Sequence, residues 1–383
     1  MILNQFEITQ DIENLNLENI HKEVFCYSYD IRNIKTLIRN NVDESSESYM
    51  AAYSSFKGEV YENIIYEHLL RYAQTNDEIT RFVLKGPHQN ADHRYKKNGL
   101  LINKSAQIVY KSVYKDISEF DALFFTKDAL YFVEMSTSKK TVSLIKRLDK
   151  KYALLKILFP SMQIKSLIVL TEGSLGIKKF PSFCTVWLTK ELDNEILLKN
   201  IIFKKTKYKK IEPPKEKKFI ETSVIKYKQF VYFQTLEWIL KNTRFKDSSN
   251  INLNFFKSRV LGLYFDIFTK LYIGFISTND FKTIFSDFKL EAKDDRVLVT
   301  IEKINTKIYD IVYYVKEKNN KLKRIYIKNM NEVTIKDKEI DGFTNTEVKY
   351  LMKYVFNDTH SLSIENIKNI QSLENGVSFV KIK

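Results

Sequence analysis

Glycine is scarce in this chain, with nine residues in 383, and that scarcity removes whole classes of chemistry. Phosphate-cradling loops depend on closely spaced glycines. The sequence holds no P-loop, no glycine-rich dinucleotide turn and no nucleophile elbow. Cysteine is scarcer still. Cys26 and Cys184 stand far apart without CxxC spacing, which argues against a disulfide framework or a zinc knuckle. No run approaches the roughly 18 apolar residues that mark a membrane span. Met1 opens a mixed polar segment, MILNQFEITQDIEN, with neither a basic leader nor an apolar signal core. Together these absences predict a soluble, cytoplasmic protein with no membrane partner.

What is present is ample core material. The chain is 44% hydrophobic and 14% aromatic, which predicts an ordered fold of two domains of ordinary size. The net charge of +15 is unevenly placed: residues 1–200 carry 27 Lys/Arg against 25 Asp/Glu, and residues 201–383 carry 35 against 22. A basic excess in one half favours an anionic partner, nucleic acid first, DNA before RNA. A solubilising surface is the plainer alternative. A homodimer is left open.

The stretch 118–140, SEFDALFFTKDALYFVEMSTSKK, reads as two apolar strands joined by the polar turn Thr126-Lys127-Asp128. Glu119 and Asp121 stand two apart and so share a face of the first strand. Glu134 closes the second. Pairing the strands near the open end of the hairpin brings Asp121 and Glu134 together. Two carboxylates bordering an apolar hairpin are costly to bury without something positive between them. A divalent cation with a preference for oxygen ligands, Mg2+ or Mn2+, is the simplest such partner.

Upstream, residues 47–74 have a helical pattern: Met50, Tyr53, Phe56, Val60, Ile64, Leu69 and Tyr72 recur at mostly three- and four-residue intervals. Glu59, Glu62 and Gly58 lie within it. His68 reads as a half-buried packing residue. Residues 76–105 read as a polar connection around a short apolar piece, Phe82-Val83-Leu84. There His88 and His93 are expected on a surface loop, and Lys85, Arg94, Lys96 and Lys97 cluster near enough to meet a substrate phosphate. Residues 106–114 predict a strand before the hairpin. After it, Val142, Ile145, Leu148, Tyr152, Leu155 and Leu158 mark one face of a helix that Pro160 stops, and 164–170 and 185–188 add strands.

An E-x-D strand followed by an acid at the end of the next strand, set in the order helix, strands, helix, strand, resembles the PD-(D/E)XK nucleases over roughly residues 50–190. The resemblance implies a restriction-endonuclease-like α/β domain, a central mixed sheet flanked by helices, that hydrolyses phosphodiester bonds with Mg2+ or Mn2+. It implies that Asp121 and Glu134 hold the metal and that a helical acid, Glu62 with Glu59 in reserve, joins them. Glu119 would support the site. The family's lysine position, two residues after Glu134, is Ser136 here, which supplies no cation. Substitutes lie downstream: Lys139 or Lys140 in the turn after the strand, or Lys146 or Lys150, four apart on the next helix. A nuclease fold without catalysis, serving as a nucleic-acid-binding or assembly module, is the alternative.

These features divide the chain into an unassigned extension (1–45), the nuclease-like domain (46–200), a linker (201–218) and a basic α+β domain (219–383). The run KKTKYKKIEPPKEKK over 204–218 holds eight lysines and two glutamates, with Pro213-Pro214 stiffening it. Its Lys204, Lys205, Lys207, Lys209 and Lys210 are the candidates for gripping phosphates without sequence preference. Beyond it, 219–242 and 253–273 look largely helical. Residues 297–304, 308–315, 322–327 and 333–335 predict an antiparallel meander. Helices over 344–355 and 364–373 and a strand over 377–382 complete the prediction.

Overall fold

A computed structural model describes residues 20–89, 96–113, 115–203, 209–243, 251–256, 258–268, 270–285, 292, 295–303, 309–316, 322–328, 332–337 and 361–374. The chain divides into two compact units, residues 1–231 and 232–383. Asp92, His93, Arg94, Lys204, Lys205, Lys207, the helix expected over 344–355 and the strand expected over 377–382 lie outside the described residues.

In the first unit a short helix α1 (Arg32–Arg39) precedes the long helix α2 (Glu47–Thr75). Ser46 caps α2: its Oγ accepts the Tyr49 amide at 3.3 Å, and Glu47 follows in the first turn, where a negative charge suits the helix dipole. Phe56, Val60, Ile64 and Leu69 are buried as their spacing predicts, and Tyr61, Ile65 and Tyr66 join them. Met50, by contrast, is exposed. The middle of α2 is therefore wrapped on most of its circumference.

Six strands form the sheet beneath it: β1 (Arg81–Val83), β5 (Ala122–Phe125), β6 (Ala129–Ser136), β7 (Gln163–Thr171), β8 (Cys184–Thr189) and β9 (Phe219–Ile220), in the order β8-β7-β6-β5-β1-β9. β6, β7 and β8 are parallel, β5 is antiparallel to both β6 and β1, and β9 runs parallel to β1. The crossover from β6 to β7 is helix α3 (Val142–Leu158), as parallel strands require. Odd-numbered residues of β6 (Tyr131, Val133, Met135) pack into one cluster with α2. The even-numbered Glu134 pairs with Lys151 of α3, so helices flank both faces of a mixed sheet. The hairpin turns where expected, with Thr126 N donating to Ala129 O at 2.9 Å. The facing pair Phe124 and Tyr131 stack with ring centres 4.9 Å apart, a cross-strand contact worth about 0.2–1 kcal/mol.

Three departures from the predicted elements matter for the site. The segment 115–125 is not one strand: β4 (Lys115–Phe120) belongs to a separate three-stranded antiparallel sheet with β2 (Gly99–Ile102) and β3 (Ile108–Ser112), and the chain changes sheets at Asp121. The connection 76–105 contains β1 and β2, and its His88 is not on a surface loop. It is buried, with Nε2 2.6 Å from Glu67 Oε1. Residues 219–231 do not start a long helix, holding only a 3-10 turn at Thr222–Val224, and do not begin the second unit. Phe219–Ile220 adds an edge strand beside β1, and Phe230 exchanges hydrogen bonds with the Tyr110 hydroxyl at 2.8 and 2.9 Å. Helix α4 (Glu195–Phe203), which the sequence left unassigned, packs Leu197, Leu198, Ile201 and Ile202 into the core shared with α2.

The second unit opens with α5 (Tyr232–Asn242), α6 (Leu253–Phe256) and α7 (Arg259–Phe268). The meander is present and gains one strand at its start: β10 (Lys270–Ser277), β11 (Arg296–Lys303), β12 (Tyr309–Lys316), β13 (Leu322–Lys328) and β14 (Glu332–Asp337) pair in sequence order, all antiparallel. A short helix α8 (Thr278–Ile284) follows β10, and α9 (Ile364–Glu374) lies near the end of the described chain. On the sheet, buried Glu302 draws in the Tyr314 hydroxyl and the half-buried Arg324, with Lys270 at 3.8 Å, a polar set whose groups satisfy one another. Among the described residues, no helix of either unit is long and apolar enough to cross a membrane.

Candidate functional site

The site is assembled where the chain leaves one sheet for the other. Ala122 faces Val133 in the β5–β6 ladder, so extending that register by one residue sets Asp121 opposite Glu134. Asp121 is held in place because its Oδ2 accepts the Met135 amide at 2.6 Å. Glu134 interrupts an otherwise apolar strand and is 2% exposed. Burying an ionised carboxylate there demands a partner. The partner is Lys151, whose Nζ forms an ion pair with Glu134 Oε1, while the exposed Arg147 guanidinium stands 3.7 Å from Oε2.

Helix α2 brings two more acids to the same place. Glu59, Glu62, Glu119, Asp121 and Glu134 all line one cavity of about 660 Å³. Ser136, Arg147, Lys150 and Lys151 line it too. Packing so many carboxylates into a half-enclosed space has an electrostatic cost. Burial, and then the charge of Asp121, push the Glu62 carboxyl up to about 8. The same two causes raise Glu119. Burial raises Glu59, against the help of the Asp30 amide that donates to its carboxylate. Burial lowers Lys151, and Asp121, Glu119 and Glu62 pull it back toward the charged form. Lys85 acts from close by. It is buried, its ammonium lies 4.9 Å from the centre of the Tyr66 ring, and its charge steadies the ionised forms of Glu62 and Glu59.

Glu62, Asp121, Glu134, Glu119, Ser136 and Lys150 therefore meet at one cavity, together with Glu59. The other candidate lysines do not. Lys146 is exposed and does not line the cavity. Lys139 turns to a neighbouring cavity and pairs with Glu191, and Lys140 is exposed beside Leu175. The lysine that reaches Glu134 is Lys151, which the sequence reading passed over. A signal was there. Leu144, Leu148, Lys151, Leu155 and Leu158 follow the heptad spacing of a core-facing stripe, and a lysine inside such a stripe calls for a buried acid. Of the connector lysines, Lys209 and Lys210 are exposed, with the Lys209 amide donating to Cys26 O.

Comparison with protein-family models, with curated proteins and with solved structures finds no match. The resemblance to the PD-(D/E)XK nucleases accordingly rests on the order of elements and the position of these acids. Among the described residues, no three His, Cys, Asp or Glu side chains are gathered closely enough to share one ion. The donor chemistry is nevertheless oxygen-only and in negative excess around Glu62 and Asp121, which suits a hard divalent cation and not zinc.

Proposed function

We propose that the first unit is a metal-dependent nuclease of the PD-(D/E)XK type that hydrolyses phosphodiester bonds in nucleic acid. The observation that carries this reading is the convergence of Glu62, Asp121 and Glu134, from three separate elements, on one cavity that also holds a buried lysine. Asp121, Glu134 and Glu62 would hold Mg2+ or Mn2+, which when bound supplies Lewis-acid stabilisation of the charge that grows on phosphate. Lys151 takes the part that Ser136 cannot. A buried ammonium in a low-dielectric site stabilises developing negative charge far better than an exposed one. Burial and the charge of Asp121 raise Glu62 in the absence of an ion, and a cation held there would favour its ionised form.

The test is cleavage of plasmid and single-stranded DNA in Mg2+ or Mn2+ by the wild type and by Asp121→Ala, Glu134→Ala and Lys151→Met. Each substitution is expected to lower the rate by about 10²-fold or more. Unchanged cutting by Asp121→Ala and Glu134→Ala would remove the proposed site. A second reading, a nuclease-shaped module that binds without cutting, draws support from Lys151 already neutralising Glu134 and from the absence of three gathered acids among the described residues. DNA binding that survives chelator and all three substitutions, with no cutting in either metal, would select it.

A further inference from the structure

Helix α4 is apolar on both of its faces. Six of its nine residues are hydrophobic, and a helix hydrophobic all round is ordinarily buried all round. The fold covers only one face of it. Leu197, Leu198, Ile201 and Ile202 pack into the core beside α2. Ile196 and Phe203, seven residues apart, fall within about 20° of each other on the opposite face, and they are 75% and 61% exposed. Glu195 and Lys199 flank them on one side, joined to each other at 3.1 Å and both largely in solvent. On that same side stand Tyr49 and Tyr53 of α2, with ring centres 6.1 Å apart, close enough that both charges act on their hydroxyls.

The patch has the size and make-up of a small interface. Ile196 and Phe203 uncover on the order of 300 Å² of apolar side chain, enough to mark an interaction site on a monomer. With the tyrosines and the ion pair as a polar rim, it matches the lower end of specific interfaces, about 600 Å² a side. Its charge points to the occupant. The chain as a whole carries +15, so two copies repel over most of their surface, and an acidic partner is drawn instead to the lysines of 204–218. The exposed face of α4 holds one acid and one base and repels neither sign. Reversal makes it self-complementary. In an antiparallel pair the Ile196 end of one helix meets the Phe203 end of the other, and the flank carrying Glu195 and Lys199 faces its own copy, so that seam holds two charges of each sign.

We propose that the exposed face of α4 binds a second copy of this chain, with the two α4 helices antiparallel across a two-fold axis. Ile196 of each copy packs against Phe203 of the other, and Glu195 of each shares a seam with Lys199 of the other. None of these residues lines the acidic cavity, so the dimer stands apart from the nuclease reading.

The test is sedimentation velocity on the full chain from about 1 to about 200 μM. The mean mass is expected to climb from 45.4 kDa toward twice that value, with half-association on the order of tens of micromolar, as a small interface gives. Ile196→Glu and Phe203→Glu are each expected to weaken association by more than about tenfold with the melting temperature unchanged, because both side chains are exposed. Glu195→Lys and Lys199→Glu each leave the seam with charges of one sign, and each alone is expected to weaken association about tenfold. Mixed in equal amounts, these two variants are expected to associate at least as well as the wild type. A wild type that stays monomeric to about 200 μM overturns the proposal, and a melting temperature lowered by Ile196→Glu in that monomer places another segment of the same chain on α4. A dimer unaffected by both Ile196→Glu and Phe203→Glu lies elsewhere and overturns it too. A mixture of the two charge variants that stays monomeric overturns the antiparallel arrangement.

Discussion

Glu62 links the site's electrostatics to the stability of the whole first unit. Its carboxyl titrates near 4.5 when free and at about 8 in the fold, so between those values the folded chain holds a proton that the unfolded chain has released. Stability from this group is therefore complete below about pH 4.5 and drains away as pH rises toward 8. A divalent cation reverses the trend, because it binds the ionised acid and expels the proton. Thermal melts are expected to show two things. Without metal the midpoint falls from about pH 5 to 8 and the fall is flatter in Glu62→Gln. Mn2+ raises the midpoint more at the upper pH than at the lower. A Mn2+ effect independent of pH, or equal in Glu62→Gln, would take Glu62 out of the ion's company. Among single residues the acids were the legible part, since Asp121 and Glu134 stand out against apolar neighbours. Lys151 was not, because helical lysines are usually solvated and only its place in the Leu144–Leu158 stripe sets it apart. His88 was not either. Its burial depends on Glu67, 21 residues upstream, a pairing no local pattern announces.

Among the elements, strong periodicity was readable and topology was not. Helices α2 and α3, strands β7 and β8 and the four-strand run β11–β14 follow their patterns closely. The sheet change at Asp121 left no trace, because apolar residues continue on both sides of it and either sheet buries them. Strand β2 was hidden for a related reason: only Leu100, Leu101 and Ile102 are apolar, between Asn98-Gly99 and Asn103. The aromatic run after residue 219 suggested a helix, yet it straps the first unit. Tyr227 OH receives the Leu100 amide at 2.9 Å, Lys228 donates its amide to Leu158 O at 2.8 Å, and Phe230 is 2% exposed against Tyr110. Phe230→Ala should therefore cost the first unit about 3–5 kcal/mol. The measurement is denaturant unfolding of a chain ending at Val231. A loss below ~0.5 kcal/mol, the usual size for a surface change, would return 219–231 to the role of linker.

At the scale of the whole molecule, the charge asymmetry changes meaning once the unit boundary is known. Divided at Val231, residues 1–231 carry 37 Lys/Arg against 28 Asp/Glu, and residues 232–383 carry 25 against 19. The excess first assigned to the C-terminal half is concentrated in residues 201–231, with ten lysines against three glutamates, and all of that stretch belongs to the unit that holds the acidic cavity. This placement has a physical consequence. A cavity lined by five carboxylates repels phosphate, so on the proposed nuclease reading lysines of the same unit would have to supply the attraction that holds a strand near it. Affinity for duplex DNA should then reside in residues 1–231, with log K falling linearly in log salt at about 0.9 per phosphate contacted. Changing Lys204, Lys205, Lys207, Lys209 and Lys210 together to glutamine should flatten that slope by up to about four and a half, with the melting temperature little altered. Fluorescence anisotropy across a salt series, on the full chain and on the piece ending at Val231, measures both. If the slope is unchanged by the five substitutions, these lysines serve solubility alone. If the affinity follows residues 232–383 instead, the second unit is the nucleic-acid-binding module and the first must reach its phosphate without this connector.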